Sequence, residues 1–300
     1  MKFGVARILG NDLEGMHGTN QTYENLKFTL QHEKLGNDTQ VIYFLNRIVN
    51  LKKKKELIDL LHRYRQKFID IPFNYRKFNS MYSQLRNRKL LKEVENLKLN
   101  EWNYREASKK LKKYNLLLIN NNGSRNYAFD YMKRLKRFQW IFILDSNSYF
   151  MEEDFKKIKM NLSNINLDLD VGYFPLVRVK NNKEVLEKKL DDEPHFEGQL
   201  AFRNYMDIEF NDEIPYGGAP KAELLRVLGI PGPWEDWLDN VRTYGIQDRK
   251  KIECKWKIIS KMIRLTANSK DYGIKNNQIN RIQGLINLIN FILKRKNIVK

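Results

Sequence analysis

Short apolar segments alternate with amphipathic segments along the first 75 residues. Apolar runs at residues 3–9, 40–45 and 67–71 predict three β-strands, and the spacing of apolar positions in 22–32 and 55–64 predicts helices between them. Strands that alternate with helices are typical of βαβ units. The pattern therefore predicts an α/β fold with a mostly parallel central sheet flanked by helices.

This alternation stops at residues 75–113, which are strongly basic and helical in pattern, so we expect a helical insertion beside the sheet. Strand character resumes at residues 116–119, and from about residue 241 the pattern predicts basic helices. We therefore expect a domain over residues 1–240 and a basic helical extension over 241–300. Further predicted elements are a helix at 152–160, strands at 171–179 and 199–203, and a helix at 221–228.

The segment 120–150 carries the candidate chemistry. It predicts an Asn/Gly turn, an amphipathic helix and a buried strand, 140–144, that ends on Asp145, Ser146 and Asn147. In open α/β sheets, ligands bind at the carboxyl ends of the strands. A short acidic motif at that edge is suited to a divalent cation, which in turn can hold a diphosphate.

The charge of the chain is unevenly distributed. Lys and Arg number 55 against 36 Asp and Glu, and residues 241–300 contribute 15 basic and 3 acidic residues to the net charge of +19. Such an asymmetry favours an anionic partner for this region: lipid head groups, nucleic acid or a charged glycan. The simpler alternative is a solvated basic surface. An apolar content of 42% with 16 Phe and 15 Tyr indicates a packed globular protein.

Cys254 is the only cysteine, so an internal disulfide cannot form and a reducing compartment is expected. The sequence has no apolar run long enough for a signal peptide or for a membrane-spanning helix. We therefore expect a cytoplasmic protein that is soluble or peripheral at a membrane.

Taken in order, these features resemble the GT-A class of nucleotide-sugar-dependent glycosyltransferases, most closely its family-2-like, inverting members. The resemblance covers roughly residues 3–240. Residues 120–129 resemble the family's Asn-x-Gly…Arg-Asn region, Asp145 begins a D-x-D-like triplet, and the pair Glu235-Asp236 resembles the late Glu-Asp pair. The resemblance implies a GT-A-like fold and transfer of a sugar from a UDP- or GDP-linked donor.

The resemblance also implies a set of donor-binding residues, which lie at strand ends and in the 120–126 segment. Arg125 is the candidate clamp on the diphosphate, because a guanidinium group matches two phosphate oxygens at once. The full donor set is Gly10, Asn11, Asp12, Asn46, Arg47, Asn122, Gly123, Arg125, Asn126, Asp145, Ser146 and Asn147.

A divalent cation, Mn²⁺ or Mg²⁺, is implied at the same edge as a Lewis acid for the leaving diphosphate. Asp145 is its expected principal ligand, with Asn147 and His195 as further candidates. Two positions depart from the family pattern. Asn147 replaces the second carboxylate of the D-x-D motif, which removes a negative charge from the metal site, and Asn46 replaces an acidic residue that reads the base.

The acceptor side is assigned to Glu197, Gln199 and Trp234, with a glycan, a lipid-linked molecule or a protein as the acceptor. Asp236 is the candidate general base and Glu235 the alternative. A carboxylate flanked by tryptophans is partly desolvated, which raises its pKa and makes it a better proton acceptor.

The last 60 residues contain an apolar stripe flanked by basic residues. Such a helix can lie in the interface of an anionic membrane or pack on the catalytic domain, and packing is the commoner use. At helical spacings, the stripe comprises Trp256, Ile259 and Ile263, followed by Ile282, Leu285, Ile286, Ile289 and Leu293.

Each motif also has a simple structural explanation. An Asp/Ser/Asn turn can cap a helix, an Arg can face solvent at a helix start, and Pro followed by acids can begin a helix. Two alternative functions follow. One is a sugar nucleotidyltransferase, which would need a second carboxylate near Asp145. The other is a non-catalytic protein that binds nucleotide, nucleic acid or membrane, although the clustered Asn and Arg at 120–126 favour diphosphate binding over this option.

Overall fold

The computed structural model describes residues 2–18, 20–100, 102–163, 168–188, 190, 195–234, 241–266 and 274–298. Its strands are β1 (Phe3–Leu9), β2 (Thr39–Asn46), β3 (Lys67–Ile71), β4 (Trp140–Asp145), β5 (Ser148–Tyr149), β6 (Val171–Arg178), β7 (His195–Arg203), β8 (Trp256–Ile258) and β9 (Met262–Arg264). Its helices are α1 (Gln21–His32), α2 (Leu51–Arg63), α3 (Tyr75–Ser83), α4 (Leu85–Glu95), α5 (Tyr104–Lys110), α6 (Lys112–Leu118), α7 (Asn121–Arg134), α8 (Glu152–Ser163), α9 (Lys183–Leu186), α10 (Pro220–Val227) and α11 (Ile274–Ile298).

These strands form one sheet in the order β3-β2-β1-β4-β7-β6-β9-β5, with β8 also paired to β6. The pairs β3–β2, β2–β1 and β1–β4 are parallel, whereas β7 runs antiparallel to both β4 and β6. The strands predicted at 3–9, 40–45, 67–71 and 140–144 are all present. The predicted class, an α/β protein with a mostly parallel central sheet flanked by helices, is confirmed.

Both faces of the central strands are covered, which explains their unbroken apolar runs. In β4, Ile141 and Ile143 face the cluster that contains residues of α7 and α10. Trp140, Phe142 and Leu144 face the opposite cluster, which contains residues of α8. Because side chains alternate along a strand, the next odd-numbered residue, Asp145, falls on the face that α7 and α10 cover.

The strand order reverses direction between β1 and β4. The chain proceeds from β1 to β2 and β3 on one side and then returns to place β4 on the other side of β1. In open α/β sheets, a crevice for ligands forms outside the carboxyl ends of strands at such a switch point. Ile8 pairs with Asp145 in the register, so the loops after β1 and β4 begin side by side.

Two sequence predictions need correction. The strand expected at 116–119 is wrong, because these residues lie at the end of helix α6 and in the residue after it. A short run of apolar residues fits a buried helix as well as a strand, and here Tyr114, Leu117 and Leu118 are buried on helical spacing. The helical character predicted for residues 75–113 is present in α3, α4, α5 and the start of α6, whereas its description as an insertion remains a prediction.

The second correction concerns residues 241–300. Helix α11 agrees with the expected basic helices, but the preceding segment contributes β8 and β9, which both pair with β6. The alternating apolar and polar residues around Trp256–Ile258 were the available signal for a strand. The division into domains at residue 240 remains a prediction.

Helix α11 packs its apolar stripe on the rest of the protein. Ile282, Leu285, Ile286 and Ile289 are buried in a cluster with side chains of α3, α4 and α6. These side chains are the apolar surface that α11 would need in order to lie in a membrane interface, and they are buried in the protein instead. Among the described residues, none of the helices is both long and apolar enough to traverse a bilayer.

Gly284 sets how closely α11 approaches the loop after β1. A Cβ atom at this position would lie 2.8 Å from the Cβ atom of Leu13 and 3.0 Å from the carbonyl oxygen of Glu14. We predict that Gly284→Val lowers the free energy of unfolding by about 1–3 kcal/mol, because the packed interface has to shift. Urea denaturation measures this loss. Gln283→Val, at the neighbouring exposed position, should cost much less; equal losses would contradict the close approach.

Candidate functional site at the carboxyl edge of β1 and β4

Asp145 is the centre of the polar groups at this edge. Its Oδ1 accepts a hydrogen bond from Arg125 Nη2 at 2.6 Å, and its Oδ2 accepts from Lys221 Nζ at 3.0 Å and from Gln199 Nε2 at 3.1 Å. The side chain of Asp145 is 26% exposed, whereas those of Arg125 and Lys221 are 4% and 8% exposed. One carboxylate therefore joins β4, β7, α7 and α10, with part of it facing solvent.

Helix α7 begins in a way that orients Arg125. Asn120 is the N-cap with a left-handed backbone, φ 32°, and its side chain accepts from the backbone N–H of Gly123. Asn122 Oδ1 accepts from Arg125 Nη1 at 2.7 Å. The amide of Asn122 also donates to the carbonyl oxygens of Asn211 and Pro220, at 2.7 and 2.8 Å. The expected Asn/Gly turn is therefore the capped first turn of a helix, tied to the start of α10.

The pKa of Asp145 is well below its usual range. Burial alone would raise it, but the charges of Arg125 and Lys221, together with the hydrogen bonds they donate, outweigh burial and favour the carboxylate. The group is therefore ionised at every pH near neutrality, which suits it to electrostatic and positioning roles and excludes it as a proton acceptor near pH 7.

The described residues around Asp145 do not fit a divalent cation. Both carboxylate oxygens already accept hydrogen bonds from cationic or amide donors, which occupy the positions a metal would take. Within the described part of the chain, no group of three or more His, Cys, Asp or Glu side chains is arranged to hold a metal. Mn²⁺ or Mg²⁺ remains a prediction from sequence, and the side chain of the third candidate ligand, His195, lies outside the described residues.

The loop after β1 is held by its own polar side chains. Asn11 donates to the carbonyl oxygens of Arg47 and Leu118, and its Oδ1 accepts from the N–H of Val49 at 3.0 Å. Asp12 accepts from the backbone N–H and the hydroxyl of Thr22 at the start of α1. Asn11 and Asp12 thus hold the loop in place. Gly10 faces open space, because a Cβ atom added there would meet no atom within 4 Å.

His17, in the same loop, is neutral at physiological pH. Burial lowers its pKa to about 4, with Arg281 of α11, Arg264 of β9 and Lys53 of α2 adding to the effect and the carboxylate of Asp12 opposing it. The phenol oxygen of Tyr216 lies 3.4 Å from Nε2 of His17. Three cations from distant segments therefore lie near the loop at the end of β1.

Asn46 is the last residue of β2, and Arg47 follows it. Asn46 is fully buried, accepts from Ser124 Oγ at 2.5 Å and from Arg47 Nη1 at 2.7 Å, and donates to the carbonyl oxygen of Ile119. A side chain without exposed atoms cannot contact a base in this conformation. Its placement gives it a bridging role between β2 and α7.

The other candidate residues predicted from the sequence lie in different surroundings. Both polar atoms of the Asn126 side chain bond to the backbone of Phe210, at 2.8 Å each. Trp234 is 2% exposed and its indole N–H donates to the carbonyl oxygen of Ile230, so the ring is part of the core and has no face for stacking on an acceptor. Ser146 and Asn147 are half-buried beside Asp145. Glu235 and Asp236, and the side chain of Glu197, lie outside the described residues.

Lys221 and Arg281 are the residues whose role no motif revealed. Lys221 follows Pro220 at the start of α10, and nothing in that pattern indicates a carboxylate 76 positions earlier. Arg281 lies on α11 with its guanidinium 5.2 Å from the ring centre of Tyr216. The only sequence signal was the excess of basic residues after residue 241.

No protein-family model matches the chain, and no curated protein matches it at a significant level. Among solved structures, residues 1–349 of TarS from S. aureus align at 12% identity with a TM-score of 0.41, covering 99% of this chain and 74% of that chain. Glucosyl-3-phosphoglycerate synthase from Mycobacterium tuberculosis aligns at 8% identity and a TM-score of 0.35, with 96% and 80% covered. A 4-diphosphocytidyl-2C-methyl-D-erythritol synthase from Anaerococcus prevotii aligns at 11% identity and a TM-score of 0.34, with 98% of each chain covered.

All three alignments have TM-scores below 0.5 and identities below 25%.

We predict that Asp145→Asn lowers the free energy of unfolding at pH 7 by about 3 kcal/mol, because two largely buried cations lose their counter-ion. The pKa of Asp145 is lower in the folded than in the unfolded protein, so its contribution is complete above the unfolded value of about 3.9 and is lost as pH falls through the folded value. Urea titrations should therefore show a constant difference between wild type and variant from pH 8 to 5 that narrows below about pH 4. A difference that stays unchanged at low pH would contradict this.

His17 generates a second pH dependence. The unfolded chain takes up a proton near pH 6.5, whereas the folded His17 does so only at about 4, so stability falls as pH decreases between these values. We predict that His17→Gln makes the unfolding free energy less dependent on pH in this window. The measurement is urea denaturation at pH 7 and pH 5, with His62→Gln on α2 as the control. An identical slope in wild type and His17→Gln would show that His17 titrates normally.

Proposed function

We propose that the chain is a glycosyltransferase that moves a sugar from a nucleoside-diphosphate sugar to an acceptor hydroxyl, with inversion at the anomeric carbon. The observation that carries the proposal is the position of Asp145, Arg125 and Lys221 at the switch point between β1 and β4, where open α/β sheets bind ligands. The order of the sequence motifs supports the nucleotide-sugar class, and the geometry supplies the charges that this class of donor requires.

The electrostatic demand of the reaction is the charge that develops on the diphosphate as the glycosidic bond breaks. Arg125 and Lys221 are cations whose orientation is fixed before the ligand arrives, and preorganised charges of this kind stabilise a developing anion without reorganisation. Asp145 holds both cations in place. Its partly exposed carboxylate is suited to accept hydrogen bonds from sugar hydroxyls.

The displacement itself needs a base. In the proposed step, the acceptor oxygen forms a bond to the anomeric carbon while the bond from that carbon to the diphosphate oxygen breaks. The acceptor's proton passes to a carboxylate, for which Asp236 is the candidate and Glu235 the alternative. The nucleoside diphosphate leaves with the bonding electron pair. Asp145 is unsuited to this role because its pKa is too low.

The proposed acceptor is a hydroxyl group of a glycan, a lipid-linked molecule or a protein. Gln199, one of the expected acceptor contacts, is 1% exposed and donates to Asp145, so in this arrangement it orients the carboxylate. A metal would act as a Lewis acid at the diphosphate when bound, but no step proposed here depends on it.

The test is binding of UDP and GDP and of their sugars, measured by calorimetry with Mn²⁺ and with EDTA. We expect one nucleotide series to bind, and Arg125→Lys to weaken it by about tenfold or more, because an ammonium group cannot bridge Asn122 and Asp145 as the guanidinium does, so the positive charge at this edge loses its fixed position. Arg134→Lys is the matched control, since Arg134 is exposed on the same helix. Absence of binding for both series, or equal affinities in wild type and Arg125→Lys, would overturn the proposal.

A further inference from the structure

Three helices converge on the carbonyl oxygen of Val49. Tyr75, at the start of α3, donates to it through its hydroxyl at 3.4 Å, and Arg295, near the end of α11, donates through Nη1 at 3.1 Å. Val49 itself lies two residues before the start of α2. The first turns of α2 and α3 and the last turns of α11 therefore lie together on one surface.

This surface combines exposed apolar side chains with cations. Leu51 is 52% exposed and Tyr75 is 41% exposed. Cationic residues stand in the same turns of all three helices. Within the described residues none of these cations forms an ion pair, whereas the neighbouring Lys53 and Lys54 pair with Asp12 and Asp70. The Val49 face is defined by Leu51, Lys52, Lys55, Tyr75, Arg76, Lys77, Lys294 and Arg295.

We propose that the Val49 face docks the protein on an anionic lipid membrane. Each cation near a negatively charged leaflet is attracted to it, and a leucine and a tyrosine between the cations can enter the head-group region, where aromatic rings with a polar tip are favoured. The apolar stripe of α11 is buried, so this helix contributes only cations to the contact. The Val49 face is thus a different membrane-binding surface from the apolar stripe of α11, which the sequence suggested.

The Val49 face also lies next to the candidate site. The N–H of Val49 is held by Asn11 at the end of β1, while its carbonyl oxygen is held by Tyr75 and Arg295. A single residue therefore connects the ligand-binding edge of the sheet with the proposed membrane surface. An acceptor carried on a lipid would be presented close to this edge, although the docking itself does not depend on any activity.

The experiment is co-sedimentation of the full chain with vesicles of phosphatidylcholine alone and with 30 mol% phosphatidylglycerol (roughly the anionic fraction that gives a strong negative surface potential). We expect binding only to the anionic vesicles, with loss at high salt. The triple variant Lys52→Gln/Lys55→Gln/Lys77→Gln should bind about 100-fold more weakly, at about fivefold for each cation removed. Leu51→Ser should weaken binding about tenfold without a change in charge.

Matched controls separate this surface from general basicity. Arg134→Gln/Lys156→Gln/Lys157→Gln removes the same charge from exposed positions on α7 and α8, and Leu186→Ser removes an equally exposed leucine from α9. Both controls should retain wild-type binding. The proposal is overturned if wild type does not bind anionic vesicles or if the controls lose as much affinity as the test variants. It is also overturned if an oligonucleotide of mixed sequence binds more tightly and depends on the same residues. None of these results bears on nucleotide binding, so failure here leaves the proposed activity testable.

Discussion

The ion pairs of one carboxylate organise the candidate site. Asp145 ends β4 on the face that α7 and α10 cover, and Arg125 and Lys221 from those helices reach its two oxygens. Both cations are largely buried, and a buried charge without a partner costs several kcal/mol. The relative positions of the strand and the two helices are therefore constrained by the need to keep these charges paired.

This constraint also decides what the site is suited to do. A carboxylate whose oxygens accept from Arg, Lys and Gln side chains is a poor starting point for metal ligation and for proton transfer. The same contacts hold two cations in fixed orientations at the ligand-binding edge of the sheet. Segments distant in sequence complete the surroundings of this edge, because α11 packs on the loop after β1 through the close approach at Gly284.

Much of the fold could be predicted from the sequence, and the candidate site only in part. The parallel strands β1 to β4 are marked by apolar runs between amphipathic helices, and Asp145 was identified because it ends such a run abruptly. The strand expected at 116–119 was wrong because a short apolar run carries no period. Asn46 and Asn126 were expected to contact the donor, but polar residue type alone cannot distinguish a ligand contact from a buried hydrogen bond to a neighbouring segment.

By itself the sequence determined the class of fold, the buried strands and the point where a charge emerges from the sheet. These features follow from local periodicity, which is written in neighbouring residues. Only the tertiary structure decided that Lys221 reaches Asp145, that Trp234 is part of the core, and that the stripe of α11 is covered. Each of these depends on which segments the sheet order brings together, and contacts between residues far apart in the chain leave no periodic signal in a single sequence.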